Sequence, residues 1–250
     1  CSGQPEQFQF FLADVNGLDG GAFPDTPVVG DNPLVAIWYG ANDVFASLDT
    51  LAEVDPTDPA AQAAAAAAAL FEATETAKAV ANIVGTLADF PLFDFNDFVV
   101  LNLPDLGAIP AYNTTPLAGA ATQLSTAFNL QLVAELAALE AGGNDIEVID
   151  VFSLIGGLTQ GQILPELTNV SEACLVPPTL DDTGNPTSPG SFCGIPNEYA
   201  FFDPVHPTTI VHAELSQRVR AAVIPLPATL PLALGALCIL SLTGRRFQRS

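Results

Sequence analysis

Two short stretches, far apart in the chain, contain side chains that could catalyse acyl transfer. In the stretch YAFFDPVHPT, Asp203 and His206 lie three residues apart, and prolines on either side of His206 stiffen the loop. A carboxylate that orients an imidazole is an acid–base pair used in ester and amide hydrolysis. Upstream, Asn42 follows two residues after Gly40, and its amide could donate a hydrogen bond to a developing oxyanion.

Other roles are open for some of these residues. Gly40 and Asn42 also suit an ordinary turn at a strand end, because glycine and asparagine are common turn residues. The adjacent Asp43 suits the cap of a helix or turn better than a catalytic base. The second histidine, His212, has no acid placed to orient it, which favours a position on a helix face.

A parallel sheet would bring the two stretches together. Residues 34–39 (LVAIWY) are uncharged and rich in β-branched and aromatic side chains, which predicts a strand buried on both faces. Similar runs predict strands over residues 98–103 and 146–152. Open α/β sheets bind ligands at the carboxyl ends of their strands, and Asn42 follows such an end.

Helices are predicted between and after these strands. An alanine-rich stretch predicts a long helix over residues 58–90, with proline in its first turn. Apolar residues at helical spacing predict a second helix over 115–141, which two glycines end. A short helix with a loop is expected over 153–168, and a final helix over 207–223. The alternation predicts an α/β fold with a parallel sheet covered on both faces.

Three blocks of the sequence resemble the SGNH (GDSL-type) esterase and lipase family. Residues 40–43 (GAND) and 203–206 (DPVH) match two family blocks residue for residue, and residues 99–113 (VVLNLPDLGAIPAYN) resemble the strand and loop before a long helix. The resemblance covers residues 7–223 and implies a three-layer, flavodoxin-like α/β fold. It is closest to the phospholipase/lecithinase/hemolysin-like branch, which implies lipid or other acyl ester substrates.

The resemblance also implies a role for each matching residue. His206 would be the base of a Ser-His-Asp mechanism and Asp203 the acid that orients it, while Asn42 and Gly40 would belong to the oxyanion hole. The nucleophile block, Gly-Asp-Ser, does not occur in the sequence. We therefore expect the serine and one or more N-terminal strands to lie upstream, and the chain alone to be inactive. The alternative is a non-catalytic, surface-anchored binding or envelope protein with the same fold.

Charge and composition limit the remaining possibilities. The chain has 28 acidic and 6 basic residues and a formal net charge of −22, so it should repel nucleic acid. No glycine-rich phosphate loop and no cluster with metal-ligand spacing suggests a cofactor or a metal. Cys174 and Cys193 flank a loop rich in proline, glycine and polar residues, which predicts a disulfide worth about 3 kcal/mol in an exported protein. A metal site at these cysteines is the weaker alternative, because neither has a second ligand nearby.

The C-terminal end differs from the rest of the chain. Residues 224–244 carry no charge and precede Arg245, Arg246 and Arg249, which predicts a transmembrane helix. Three prolines in the segment argue against the alternative of a buried core helix. The pattern resembles a PEP-CTERM sorting tail, with Leu226 in place of the motif's glutamate, and implies an exosortase-like processing enzyme. We therefore divide the chain into a hydrolase domain (1–223) and a tail (224–250), and expect export to the bacterial envelope or cell surface, with membrane anchoring before processing.

Overall fold

Three parallel strands form the central sheet of the computed structural model, which describes residues 33–89, 95–179, 181 and 187–223. They are β1 (Leu34–Ile37), β2 (Asp97–Leu101) and β3 (Asp145–Ile149), in the spatial order β1-β2-β3. The pairing aligns Val35 with Phe98 and Val100 with Val148. The predicted α/β class with a parallel sheet is confirmed.

Among the described residues, five α-helices accompany the sheet: α1 (Ala41–Ala52), α2 (Pro59–Ala88), α3 (Ala118–Ala141), α4 (Val151–Thr159) and α5 (Thr209–Val223). A short 3₁₀ helix spans Pro196–Glu198. The predicted long helices correspond to α2 and α3. The side chain of Asp58 caps α2 by accepting hydrogen bonds from the backbone N–H groups of Ala60 and Ala61. One face of α3 is buried against the core, as its apolar spacing predicts.

The strands differ in how far they are buried. Four consecutive residues of β2, from Phe98 to Leu101, are buried, so both faces of this strand are covered. In β1, by contrast, Ile37 is buried, whereas Leu34 is 48% exposed. The prediction that residues 34–39 are buried on both faces is therefore wrong for this structure. Within the described residues, β1 pairs with β2 on one side only, and one of its faces is open.

Two local predictions also need correction. The third strand was expected to reach residue 152, but Val151 and Phe152 already belong to α4. The side chain of Asp150 accepts the backbone N–H of Ser153 and caps the helix there. The extent of α1 was not predicted; Asp43 was expected to cap a helix or turn, and it lies in the first turn of α1, after the N-cap Gly40.

Short strands form two further small sheets near the C-terminal helix. In the first, β4 (Asn169–Ala173) pairs in parallel with β7 (Tyr199–Phe201); in the second, β5 (Leu175–Val176) pairs antiparallel with β6 (Ser191–Phe192). The predicted disulfide between Cys174 and Cys193 is present, with the two Cα atoms 4.7 Å apart. The backbone N–H of Cys174 donates to the carbonyl of Phe201, which links the disulfide to β7.

The predicted transmembrane segment, residues 224–244, lies outside the described residues. Of the helices that the structure does describe, none has the length and apolar composition needed to cross a membrane.

Candidate active site

Local hydrogen bonds shape the loop that contains Asp203 and His206, between β7 and α5. One carboxylate oxygen of Asp203 accepts the backbone N–H groups of Val205 (2.8 Å) and His206 (2.7 Å). The loop is closed at its base, where the N–H of Phe202 donates to the carbonyl of His206 at 2.8 Å. The order Asp-Pro-Val-His thus encodes a tight turn around its own first side chain.

The same carboxylate holds the imidazole. Nδ1 of His206 lies 2.8 Å from Oδ2 and 3.0 Å from Oδ1 of Asp203. The other ring nitrogen, Nε2, makes no hydrogen bond to any residue that the structure describes, and the side chain is 73% exposed. With Nδ1 protonated and donating to the carboxylate, Nε2 is left as a proton acceptor, which is the tautomer that a general base needs.

Burial and hydrogen bonding act in opposite directions on Asp203. Partial burial raises the pKa of its carboxyl group. The backbone N–H groups of His206 and Val205 and the imidazole of His206 stabilise the carboxylate and outweigh burial, so the pKa lies below its ordinary value. Asp203 therefore stays ionised beside the imidazole, as a group that stabilises an imidazolium must.

Asn42 lies in the first turn of α1. Its side-chain amide makes no hydrogen bond to another described residue, so its N–H groups can reach a ligand. Gly40, directly before the helix, has a positive φ of 110°, a conformation that favours glycine. A Cβ there would lie 2.5 Å from the ring of Phe128. Gly40 thus allows the chain to turn tightly over α3 and into α1.

Asn42 and His206 line one cleft of about 160 Å³. The remaining lining side chains are apolar or aromatic: Trp38, Ala41, Phe45, Pro104, Leu106, Ile109, Val151, Ile155, Phe201, Val205 and Pro207. Gly40 is not among the lining residues, and its place in the oxyanion hole stays a prediction. The structure therefore brings the predicted amide and imidazole to a single apolar cleft.

The loop after β2 forms one wall of the cleft, and three polar residues of α3 hold it. The amide of Asn129 accepts the N–H of Leu103 at 2.8 Å and donates to its carbonyl at 2.9 Å. The hydroxyl of Ser125 accepts the N–H of Leu106 at 3.3 Å, and that of Thr122 donates to Asp105 at 2.6 Å. Sequence reasoning missed these residues; their helical spacing on an otherwise apolar helix face was the available signal.

Two further contacts join the wall to its neighbours. Asn102, 7% exposed, accepts the N–H groups of Val151 (2.7 Å) and Phe152 (3.1 Å), which fixes the start of α4. The N–H of Ala111 donates to the carbonyl of Pro204 at 2.9 Å, which connects the wall to the histidine loop. Hydrogen bonds thus hold the wall of the cleft to α4 and to the histidine loop.

His212 lies apart from this arrangement. It is exposed on α5 and does not line the cleft. Among the described residues, no group of three or more histidine, cysteine, aspartate or glutamate side chains could hold a metal ion.

In this parallel-sheet α/β protein, an amide and a carboxylate-bound imidazole line one cleft, an arrangement that could serve acyl transfer. A model of the GDSL-like lipase/acylhydrolase family matches residues 2–219, so the chain belongs to that family. This membership supports a hydrolase that acts on esters and, together with the parallel sheet, fits the SGNH fold. No curated protein matches the chain.

Proposed function

We propose that the protein hydrolyses carboxylic esters with a serine nucleophile, His206 as the base, Asp203 as its orienting acid and Asn42 in the oxyanion hole. One observation carries the proposal. In a single apolar cleft, Nε2 of His206 and the amide of Asn42 are both free of hydrogen bonds to described residues, while Asp203 holds Nδ1. An acyl group placed between them would meet a base and an oxyanion donor together.

In the first half of the reaction, the serine oxygen attacks the acyl carbonyl and Nε2 of His206 takes the serine's proton. The carbonyl oxygen becomes an oxyanion, which accepts a hydrogen bond from the amide of Asn42. Asp203 stabilises the imidazolium through Nδ1. The intermediate then collapses, the ester C–O bond breaks, and the leaving alcohol takes the proton from His206.

In the second half, water replaces the alcohol. His206 removes a proton from water, whose oxygen attacks the acyl-enzyme carbonyl, and Asn42 again binds the oxyanion. Collapse releases the carboxylic acid and returns the proton to the serine.

The serine itself is part of the proposal. Gly-Asp-Ser does not occur in these 250 residues, and we place the nucleophile on a strand encoded upstream. The open side of β1 in the described sheet leaves room for such a strand, beside the residues that precede Asn42. These 250 residues alone would then be inactive.

Comparing the two histidines in the full-length protein tests this function. Replacing His206 with alanine should lower turnover of a chromogenic short-chain ester about 10²- to 10⁴-fold, because the base is lost. His212→Ala, an exposed change on α5, is the matched control and should leave most of the activity. If His212→Ala is the more damaging change, or if the full-length protein turns over no ester, the proposal fails; in the second case a binding or envelope role replaces it.

We also propose that the protein is exported and anchored through residues 224–244 until an exosortase-like enzyme processes the tail. The Cys174–Cys193 disulfide supports export, because disulfides persist in oxidising compartments. Fractionation of the native cells, with mass spectrometry of the mature C-terminus, would test this. Recovery of the protein only from the cytosol, with both thiols reduced, would contradict it.

A further inference from the structure

The side chains that line the cleft range from exposed to fully buried. At the rim, Trp38 is 40% exposed, and Asn42 and His206 are also exposed. The inner part is formed by side chains that are each at most 3% exposed: Leu106, Ile109, Val151, Ile155 and Phe201. Both hydrogen-bonding side chains of the proposed chemistry therefore lie at the rim, and the inner part is purely hydrocarbon.

The helix α4 closes the inner part. Val151 and Ile155 are four residues apart, so they lie on the same face of this helix. Val151 follows directly after the β3–α4 junction, whereas Ile155 lies one turn, about 5.4 Å, further along the helix. Ile155 is thus the cleft-lining residue of α4 that is furthest from the carboxyl edge of the sheet, where Asn42 lies.

The helix is also held firmly in place. Asn102 binds the first two backbone N–H groups of α4. On the other side, Gly157 packs so closely on Ile163 that a Cβ at this position would overlap the isoleucine side chain. Because α4 is fixed at both places, the inner end of the cleft is a wall that a ligand cannot readily displace.

The volume of the cleft sets the size of its occupant. Apolar cavities of about 150 Å³ lined by leucine, isoleucine and phenylalanine hold a six-carbon molecule such as benzene. The cleft, at about 160 Å³, has the same kind of lining and nearly the same volume. A long lipid acyl chain would fill it and continue into water.

We infer that the cleft, from its rim to Ile155, holds an acyl group of about six carbons, with the carbonyl carbon included, and that Ile155 sets this limit. The inference rests on the proposed function for the direction of the substrate, with its carbonyl at the rim between Asn42 and His206. It names short-chain acyl esters as the substrate class. Methylenes beyond the limit stay in water and add little to binding.

A binding experiment can test the limit without any hydrolysis. Trp38 is the only tryptophan of these 250 residues and lies at the rim of the cleft. The part of the fluorescence change that is lost in a Trp38→Phe variant therefore reports occupancy. The probes are 2-alkanones of increasing chain length, which present a carbonyl and an alkyl chain but have no leaving group. They are uncharged, so the net charge of −22 does not repel them. The measurement uses the full-length protein and its variants.

We expect affinity to rise about fourfold for each added methylene up to about six carbons and then to level off. Ile155→Ala removes three side-chain carbons, so the chain length at which affinity levels off should increase by about two to three carbons. Ile155→Val should shift the limiting chain length by about one carbon, and this variant replaces Ile155→Ala if the alanine variant folds poorly. The matched control is Leu154→Ala, buried on the same helix but outside the cleft, which should leave the limiting chain length unchanged.

Several results would overturn the inference. One is an affinity that rises steadily to about ten carbons. Another is a limiting chain length that Leu154→Ala shifts as much as Ile155→Ala does. The third is the absence of any change in tryptophan fluorescence. The proposed function is tested independently of this limit. If His206→Ala still hydrolysed esters, the proposed function would fail, but the binding of 2-alkanones would not change.

Discussion

Two loops that line the cleft hold their shapes in opposite ways. In the histidine loop, residues 202–208, Asp203 binds the backbone only two and three residues further along the chain. In the wall loop, residues 102–113, the N–H groups of Leu103 and Leu106 bind side chains 26 and 19 residues away, on α3. One loop is organised by its own sequence, and the other by packing against a helix.

Because of this difference, we expect substitutions in the two loops to affect different properties of the protein. The histidine loop is partly exposed and its polar groups bind one another, so a change there should mainly affect the imidazole. The wall loop is buried against α3, so a change there leaves backbone groups without partners or forces atoms to overlap. We therefore expect substitutions in the first loop to affect the rate, and those in the second to affect the free energy of unfolding.

The largest effect is expected for Asp203→Asn. Asparagine keeps an oxygen that can accept the N–H groups of Val205 and His206, but it cannot stabilise an imidazolium. The kcat of the full-length protein should fall about 10²- to 10⁴-fold, while the melting temperature changes little. A large fall in melting temperature with kcat preserved would show that Asp203 is only a structural residue of the turn.

A smaller but clear effect is expected in the wall loop for Gly107→Ala. A Cβ at this position would overlap the hydroxyl of Thr122 and the backbone carbonyl of Ala118, and the carbonyl cannot move without distorting α3. We expect a loss of about 3 kcal/mol in unfolding free energy, measured by denaturant titration. Gly119→Ala is the matched control, because nothing lies within 4 Å of its added Cβ. It should be neutral or stabilise the helix; equal losses in the two variants would contradict the contrast.

The smallest effect concerns pH. The pKa of Asp203 is lowered in the folded protein, so its contribution to stability is complete above the ordinary carboxyl value of about 3.9. That contribution is lost as the pH falls through the lowered folded value. The difference in unfolding free energy between the wild type and Asp203→Asn should therefore shrink from neutral pH to about pH 3. A difference that grows on acidification would mean that burial, not hydrogen bonding, dominates at this carboxylate.

Local encoding also explains which features could be predicted from the sequence. Three predicted features depend on residues close together in the chain, and each is found: the apolar strands, the alanine-rich helix with proline in its first turn, and the contact between Asp203 and His206. The Cys174–Cys193 pair was predicted because the cysteines flank a loop without apolar periodicity.

The missed features depend on distant contacts. The early end of β3 follows from Asp150 and Asn102, which meet at 3.2 Å only once the sheet has formed. The role of Asn129 depends on the position of Leu103 beside α3. The exposure of β1 depends on what covers one face of the sheet, which its own apolar sequence does not specify.

The central claim is that the amide in α1 and the imidazole of the histidine loop serve one reaction. Asn42→Ala in the full-length protein tests it most directly, with Asp43→Ala as the control in the same helical turn but outside the cleft. Asn42→Ala should lower kcat about 10²- to 10³-fold without changing the melting temperature, because the amide acts on the oxyanion. Asp43→Ala should leave both kcat and the melting temperature unchanged. A lower melting temperature with kcat preserved would make Asn42 a structural residue of the turn and contradict the account.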